Sequence, residues 1–187
     1  MTLGEGKRKV YMLLDEWSSG GEIAKDKDIE LKMIPFFDTA QKRVAKVERL
    51  VSTKVIKRKD GKTVYAMPDD FAGLVNVWRD GTPTKRYRWM AGKLVIPETE
   101  TAEVTVEYYR IPETLDENMS DDDEFEISDE AAELLPFYVA AQNLLPDLMI
   151  DYTPYLLEWE KMLQELERRQ AQRCGSVGFV NTFYRRG

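Results

Sequence analysis

Apolar residues recur along this chain first at helical spacing, then at strand spacing, then at helical spacing again. Val10, Leu13, Leu14 and Trp17 share one helical face near the start. Thr2 and Glu5 have capping-box spacing, which predicts a first helix beginning near Leu3 and stopped by Ser18-Ser19-Gly20-Gly21. A second helix is predicted from about Asp26 or Asp28, on a stripe of Ile29, Met33, Phe36, Phe37, Ala40, Val44, Val47 and Val51. Pro35 lies inside that stripe and is expected to kink the helix or mark a restart, because proline removes a ladder hydrogen bond.

The middle changes period. Val51–Arg58, Lys62–Met67, Gly73–Arg79, Lys85–Met90, Lys93–Ile96 and Glu103–Arg110 read as strands. Asp60-Gly61, Asp80-Gly81 and Ala91-Gly92 read as the turns between them. Val104, Val106 and Tyr108 alternate with Glu103, Thr105 and Glu107, as in a half-buried strand.

From Pro112 to Glu133 the chain is acidic and holds no basic residue. Its first part reads as an exposed loop. Ser128 is the expected N-cap of a third helix, with Asp129 and Glu130 in the first turn, where the helix dipole favours negative charge. Ala131, Leu134, Leu135, Tyr138, Val139, Gln142 and Leu145 form its packed side, with Pro136 marking a kink or a late start. Thr153 at the cap and Pro154 at the first helical position open a fourth helix carrying Leu156, Trp159, Leu163 and Leu166, with Glu165 one turn before Arg169. After Arg173 the periodicity stops, and RCGSVGFVNTFYRRG has anchors and cations but no acid.

The expected fold is therefore α+β. Residues 1–50 and 128–172 form a helical bundle of two N-terminal and two C-terminal helices. Residues 51–112 form a small inserted antiparallel β domain, 113–127 an acidic loop, and 173–187 an extended C-terminal arm.

Composition narrows the function classes. A chain of 187 residues buries roughly 70% of its unfolded surface and needs no disulfide or metal to hold a core. The lone Cys174 has no internal partner. No apolar run approaches the ~20 residues that span a bilayer, and Asp15 and Glu16 cut short the apolar stretch that follows the basic N-terminus. The net charge of −7 argues against a sequence-specific DNA-binding protein, whose affinity comes from neutralising phosphates. Histidine is absent, which removes the commonest acid–base group and metal ligand near neutral pH. There is no glycine-rich phosphate loop, no Cys/His metal spacing and no nucleophile–base pair. No enzyme, cofactor or metal is expected. A calcium loop starting at Asp121 fails because Glu126 stands where glycine is needed. A carboxylate–metal hydrolase on Asp121 to Glu126 ranks well behind a structural role.

Several stretches resemble the head–tail connector (adaptor) proteins of tailed bacteriophages. They are LGEGKRKVYMLLDEWSSGGEI followed by DIELKMIPFFDTAQKRVAKV, YRWMAGKLVIP followed by VTVEYYRIPETL, and EISDEAAELLPFYVAAQNLL. The likeness touches most of residues 3–170, with a larger β insert than the smallest adaptors carry. The resemblance implies a dodecameric ring docked on the portal in the virion neck and assembled in the bacterial cytoplasm. Its lumen would pass genomic DNA without sequence-specific binding, and its lower face would receive a stopper or tail-completion protein. A C-terminal arm would reach into the portal. Another neck, tail-completion or baseplate part is the alternative. No membrane is involved.

Under this reading Val177, Phe179, Phe183, Tyr184, Arg185 and Arg186 form the portal-docking arm, because free tails rarely combine so many aromatic residues with so little acid. Lys54, Lys57 and Arg58 would meet Asp121, Asp122 and Asp123 of a neighbouring subunit. The basic cluster from Lys42 to Lys62 also reads as a solvated face or a DNA contact. The acidic stretch reads first as a solvated loop with helix-start chemistry; facing a channel, it would repel the DNA backbone.

Overall fold

A computed structural model describes residues 1–14, 27–57, 63–97, 103–144 and 151–174. It is mixed α and β, with helices at both ends of the described chain and two small antiparallel sheets between them.

The first helix, α1, spans Leu3–Leu13. Both halves of the capping box form: Thr2 Oγ1 accepts the Glu5 amide at 3.2 Å, and Glu5 Oε2 accepts the Thr2 amide at 3.0 Å. Leu14 is the C-cap, so the helix ends short of the expected stop; Trp17 and the Ser-Ser-Gly-Gly turn lie outside the described residues. α2 spans Lys27–Glu48 without a restart at Pro35. The Thr39 hydroxyl donates to the Pro35 carbonyl at 2.8 Å, tying proline to the following turn. α2 ends where Arg49 turns left-handed (φ 59°), so Val51 belongs to the sheet and not to the helical stripe.

The strands are β1 (Val51–Lys57), β2 (Val64–Ala66), β3 (Phe71–Arg79), β4 (Thr82–Pro83), β5 (Arg88–Met90), β6 (Lys93–Val95) and β7 (Glu103–Arg110). One sheet has the order β1-β7-β3-β4 and the other β2-β6-β5. β3 starts two residues before the expected Gly73, and β5 is shorter than expected because Lys85 to Tyr87 do not pair. Arg58, Asp60-Gly61 and Lys62 lie outside the described residues. At Asp80-Gly81 and Ala91-Gly92 both central residues have positive φ. Such two-residue turns match the twist of a hairpin. The period-two pattern sends Ile56, Val77, Val104 and Val106 to one side of the larger sheet, where they pack with Tyr65 and Leu94 of the smaller and with Ile96 just beyond it.

The helices share a separate core. α3 (Asp129–Ala132) and α4 (Leu135–Leu144) are divided at Glu133-Leu134. Pro136 then sits in the first turn of α4, where its missing N–H costs no ladder bond. α4 packs against α1, α2 and α5, which is why Leu135, Tyr138, Val139, Ala140 and Ala141 are buried almost all round it. α5 spans Thr153–Cys174. Thr153 is its first helical residue and not its cap; the Asp151 carboxylate accepts the Thr153 amide at 2.9 Å instead. Trp159 and Leu166 are buried, and the Trp159 ring lies 5.1 Å from that of Tyr138. Glu165 pairs with Arg169 as its spacing predicts, and Arg169 also reaches Glu130 on α3.

Candidate functional site

The acidic stretch folds as a strap over the start of α1. The first N–H groups of a helix have no partner within it. Here the Asp123 carbonyl accepts the Leu3 amide and the Asp121 carbonyl accepts the Gly4 amide, each at 2.8 Å. Together with the capping box, this satisfies the amides of Thr2, Leu3, Gly4 and Glu5. The strap lies so close that a Cβ on Gly4 would stand 2.9 Å from Asp121 Cβ and 3.0 Å from its carbonyl oxygen. Phe125 anchors the strap, its ring 5.4 Å from that of Phe37. The next segment does the same for α3: Ser128 Oγ accepts the Ala131 amide, and Glu48 Oε2 accepts the Ser128 amide at 2.9 Å.

Sequence reasoning missed Gln41, which is fully buried and holds the strap from below. Its Oε1 accepts the Glu126 amide at 2.9 Å, and its Nε2 donates toward the Glu113 carbonyl at 3.4 Å. The signal was present: a lone amide one turn after Phe37 in an otherwise apolar stripe.

The residues assigned to contacts between subunits fall on separate surfaces. Asp121 accepts an ion pair from Lys7 of its own chain at 2.7 Å. Asp123 Oδ2 accepts the Ser120 amide at 2.8 Å, and Asp122 is exposed. Lys57 lies on β1, 3.9 Å from its cross-strand neighbour Glu103. Lys54 is half-buried on the opposite face of that strand. Arg58 and all six arm residues, Val177, Phe179, Phe183, Tyr184, Arg185 and Arg186, lie outside the described residues. The wider basic cluster divides likewise. Lys42 pairs with Asp38 at 2.8 Å, Arg43 stands 5.0 Å over the Tyr138 ring, and Lys46 and Arg49 flank a groove.

That groove, about 810 Å³, runs between the end of α2 and the larger sheet. Leu50, Phe71, Tyr109 and Ile111 supply apolar surface, and Lys42, Lys46, Arg49 and Arg110 supply cations. Arg110 is committed to Glu126 at 2.7 Å. Phe71 begins a row of rings, 5.0 Å from Trp89 and 5.8 Å from Tyr108, that links the two sheets.

The shifted titrations trace to helix starts. A hydrogen bond from the Met1 amino group, then its charge, holds the Asp129 carboxyl below the usual range, and the same contact raises the Met1 amine. Hydrogen bonds from the Thr153 hydroxyl and amide hold Asp151 low. Among the described residues no three carboxylates or thiols converge as metal ligands, and no helix is long and apolar enough to cross a membrane. The described geometry comprises a strap over α1, a groove beside the larger sheet and two sheet faces. Compared with models of known protein families and with curated protein sequences, the chain matches none.

Proposed function

We propose that this chain is a structural ring subunit of a bacteriophage neck, a head–tail connector that docks on the portal and receives the stopper or tail. In this reading residues 1–50 and 128–172 are the adaptor's helical bundle, 51–112 an inserted β domain, and 173–187 the portal-docking arm. The ring is dodecameric, takes no cofactor and catalyses no reaction. Genomic DNA passes through its lumen.

One observation carries the reading beyond the resemblance. Large apolar side chains are exposed on unlike surfaces of one chain, among them the edge of the larger sheet and the helices. Val51 and Val55, about half exposed, stand on edge strand β1, while Met12, Leu31 and Leu157 stand on helices. A closed ring needs a head-to-tail contact in which two different faces of the subunit meet. The charged residues at hand fit such a seam: Asp122 and Lys57 are exposed.

Deleting residues 175–187 tests the arm. The shortened chain is expected to keep its far-ultraviolet dichroism and lose portal capture in a pull-down. Undiminished capture would reject the arm's role. Subunit-resolution imaging of virions tests the location: density for this chain at a tail tip instead of the neck would reject the connector assignment.

A further inference from the structure

The smaller sheet carries a charge pattern that the ring and the arm do not use. Between Lys85 and Lys93 the sequence KRYRWMAGK places four cations, Lys85, Arg86, Arg88 and Lys93, with no acid. All four are exposed, and none has an ion pair among the described residues. Lys7, Lys9, Lys42, Arg110 and Arg169 have carboxylate partners; these four cations differ in standing within nine residues with no acid among them. The register explains the clustering. Val64, Val95 and Arg88 form one row across the sheet, and Ala66, Lys93 and Met90 form the next. Arg88 and Lys93 therefore share the outer face, opposite buried Leu94. Lys85, Arg86 and Arg88 also line a concavity of about 500 Å³ beside Thr63 and Val95, with no carboxylate in its wall among the described residues.

We infer that this face binds the phosphate backbone of duplex DNA without reading its sequence. Unpaired cations gathered on one open face neutralise phosphates and release counterions. Of the two aromatic residues here, Tyr87 packs against the core of the sheets and Trp89 is already stacked on Phe71, which favours duplex over single strand. An acidic strap from a second copy is the poorer occupant. Its Asp121 is held by Lys7, its Asp123 by the Ser120 amide and its Glu126 by Arg110, which leaves exposed Asp122 and Glu124 to face four cations. The inference does not rest on the connector assignment, and its test uses the purified full-length chain without portal or virion.

The measurement is fluorescence anisotropy of a labelled duplex of about 20 base pairs, in two unrelated sequences, from low to moderate salt. Both sequences should bind alike, with dissociation constants of about 10⁻⁴ to 10⁻⁶ M. With four phosphates engaged, log K should fall against log salt with a slope of about −3.6, which is −0.9 per phosphate. The Arg86→Gln/Arg88→Gln pair should flatten the slope by about two units, and Arg86→Glu/Arg88→Glu should weaken binding at least tenfold. The charge-matched Lys32→Glu/Lys161→Glu pair, on exposed helix positions, should change it far less. No saturable binding at low salt, equal weakening by the control pair, or an unchanged slope in the glutamine pair would each overturn the inference. So would capture of an acidic protein by this face with DNA binding unaffected.

Discussion

Gly4→Ala sets two physical effects of opposite sign against each other. In a free helix, alanine is more favourable than glycine by about 0.8–1.0 kcal/mol. Gly4 is the second residue of α1, so helix propensity alone predicts a gain. The strap predicts a loss. The added Cβ would stand 2.9 Å from Asp121 Cβ and 3.0 Å from the Asp121 carbonyl oxygen, and the second of these is backbone. No side-chain rotation relieves it. The strap must retreat, stretching the 2.8 Å bonds that Asp121 and Asp123 accept from the Gly4 and Leu3 amides. Each bond contributes about 1 kcal/mol, and an orphaned buried amide costs about 1–3 kcal/mol. Leu3 is almost fully buried, so the total loss is about 3 kcal/mol. Subtracting the propensity gain leaves a net destabilisation of about 2 kcal/mol. For a chain of this size that lowers Tm by about 4–8 °C. Urea unfolding followed by dichroism at 222 nm reads it directly. Asp121→Ala separates backbone from side chain: it keeps the carbonyl and removes only the exposed pair with Lys7, worth at most about 1 kcal/mol. If Gly4→Ala proves as stable as the parent or more so, the strap does not cap α1 and the reasoning fails.

Two further outcomes follow from local geometry. Ala91 holds φ 48° in a two-residue turn where Asp80, at the same φ, has the favoured residue type; Ala91→Asn should stabilise the β5–β6 hairpin by about 0.5–1 kcal/mol, visible as a Tm raised by a few degrees. The depressed Asp151 and Asp129 carboxyls contribute stability that is complete above their ordinary value of 3.8 and lost as pH falls through the lower folded-state values. Thermal melts should therefore decline on acidification below about pH 4. Asp151→Asn should flatten that decline, and an unaltered profile would show that the Thr153 contact does not act through this carboxylate.

The parts of the fold legible in the sequence are those where one local rule acts alone. The α1 start was readable because Thr2 and Glu5 supply both halves of their own cap. The β7 alternation was readable because one face of that strand packs and the other does not. Local rules failed where a particular contact, near or distant in sequence, decides. The start of α5 moved by one residue because Asp151, not Thr153, supplies the cap. Pro35 does not restart α2, because the packed stripe on both sides of it holds that helix together. Phe71 joins β3 because Tyr108 and Trp89 stack on it, and no period in PDDFAGL announces that.

The acidic stretch shows the same limit at the candidate site. Its composition correctly signalled helix-start chemistry at Ser128 to Glu130. It gave no sign that carbonyls of Asp121 and Asp123 cap a helix more than a hundred residues earlier in the chain. Backbone carbonyls belong to every residue, so that role leaves no mark in residue type; its only trace is glycine at position 4, where the strap must come close. Charge then acquires a reason. A strap crossing the positive end of α1 is favoured when it carries carboxylates, and Lys7 takes one of them. Cations face the opposite constraint. Several of those near a carboxylate are neutralised within the chain, and those on the smaller sheet have no carboxylate partner among the described residues. The division between an acidic stretch partly satisfied within the chain and a basic face unpaired among the described residues comes from tertiary pairing, which net charge conceals.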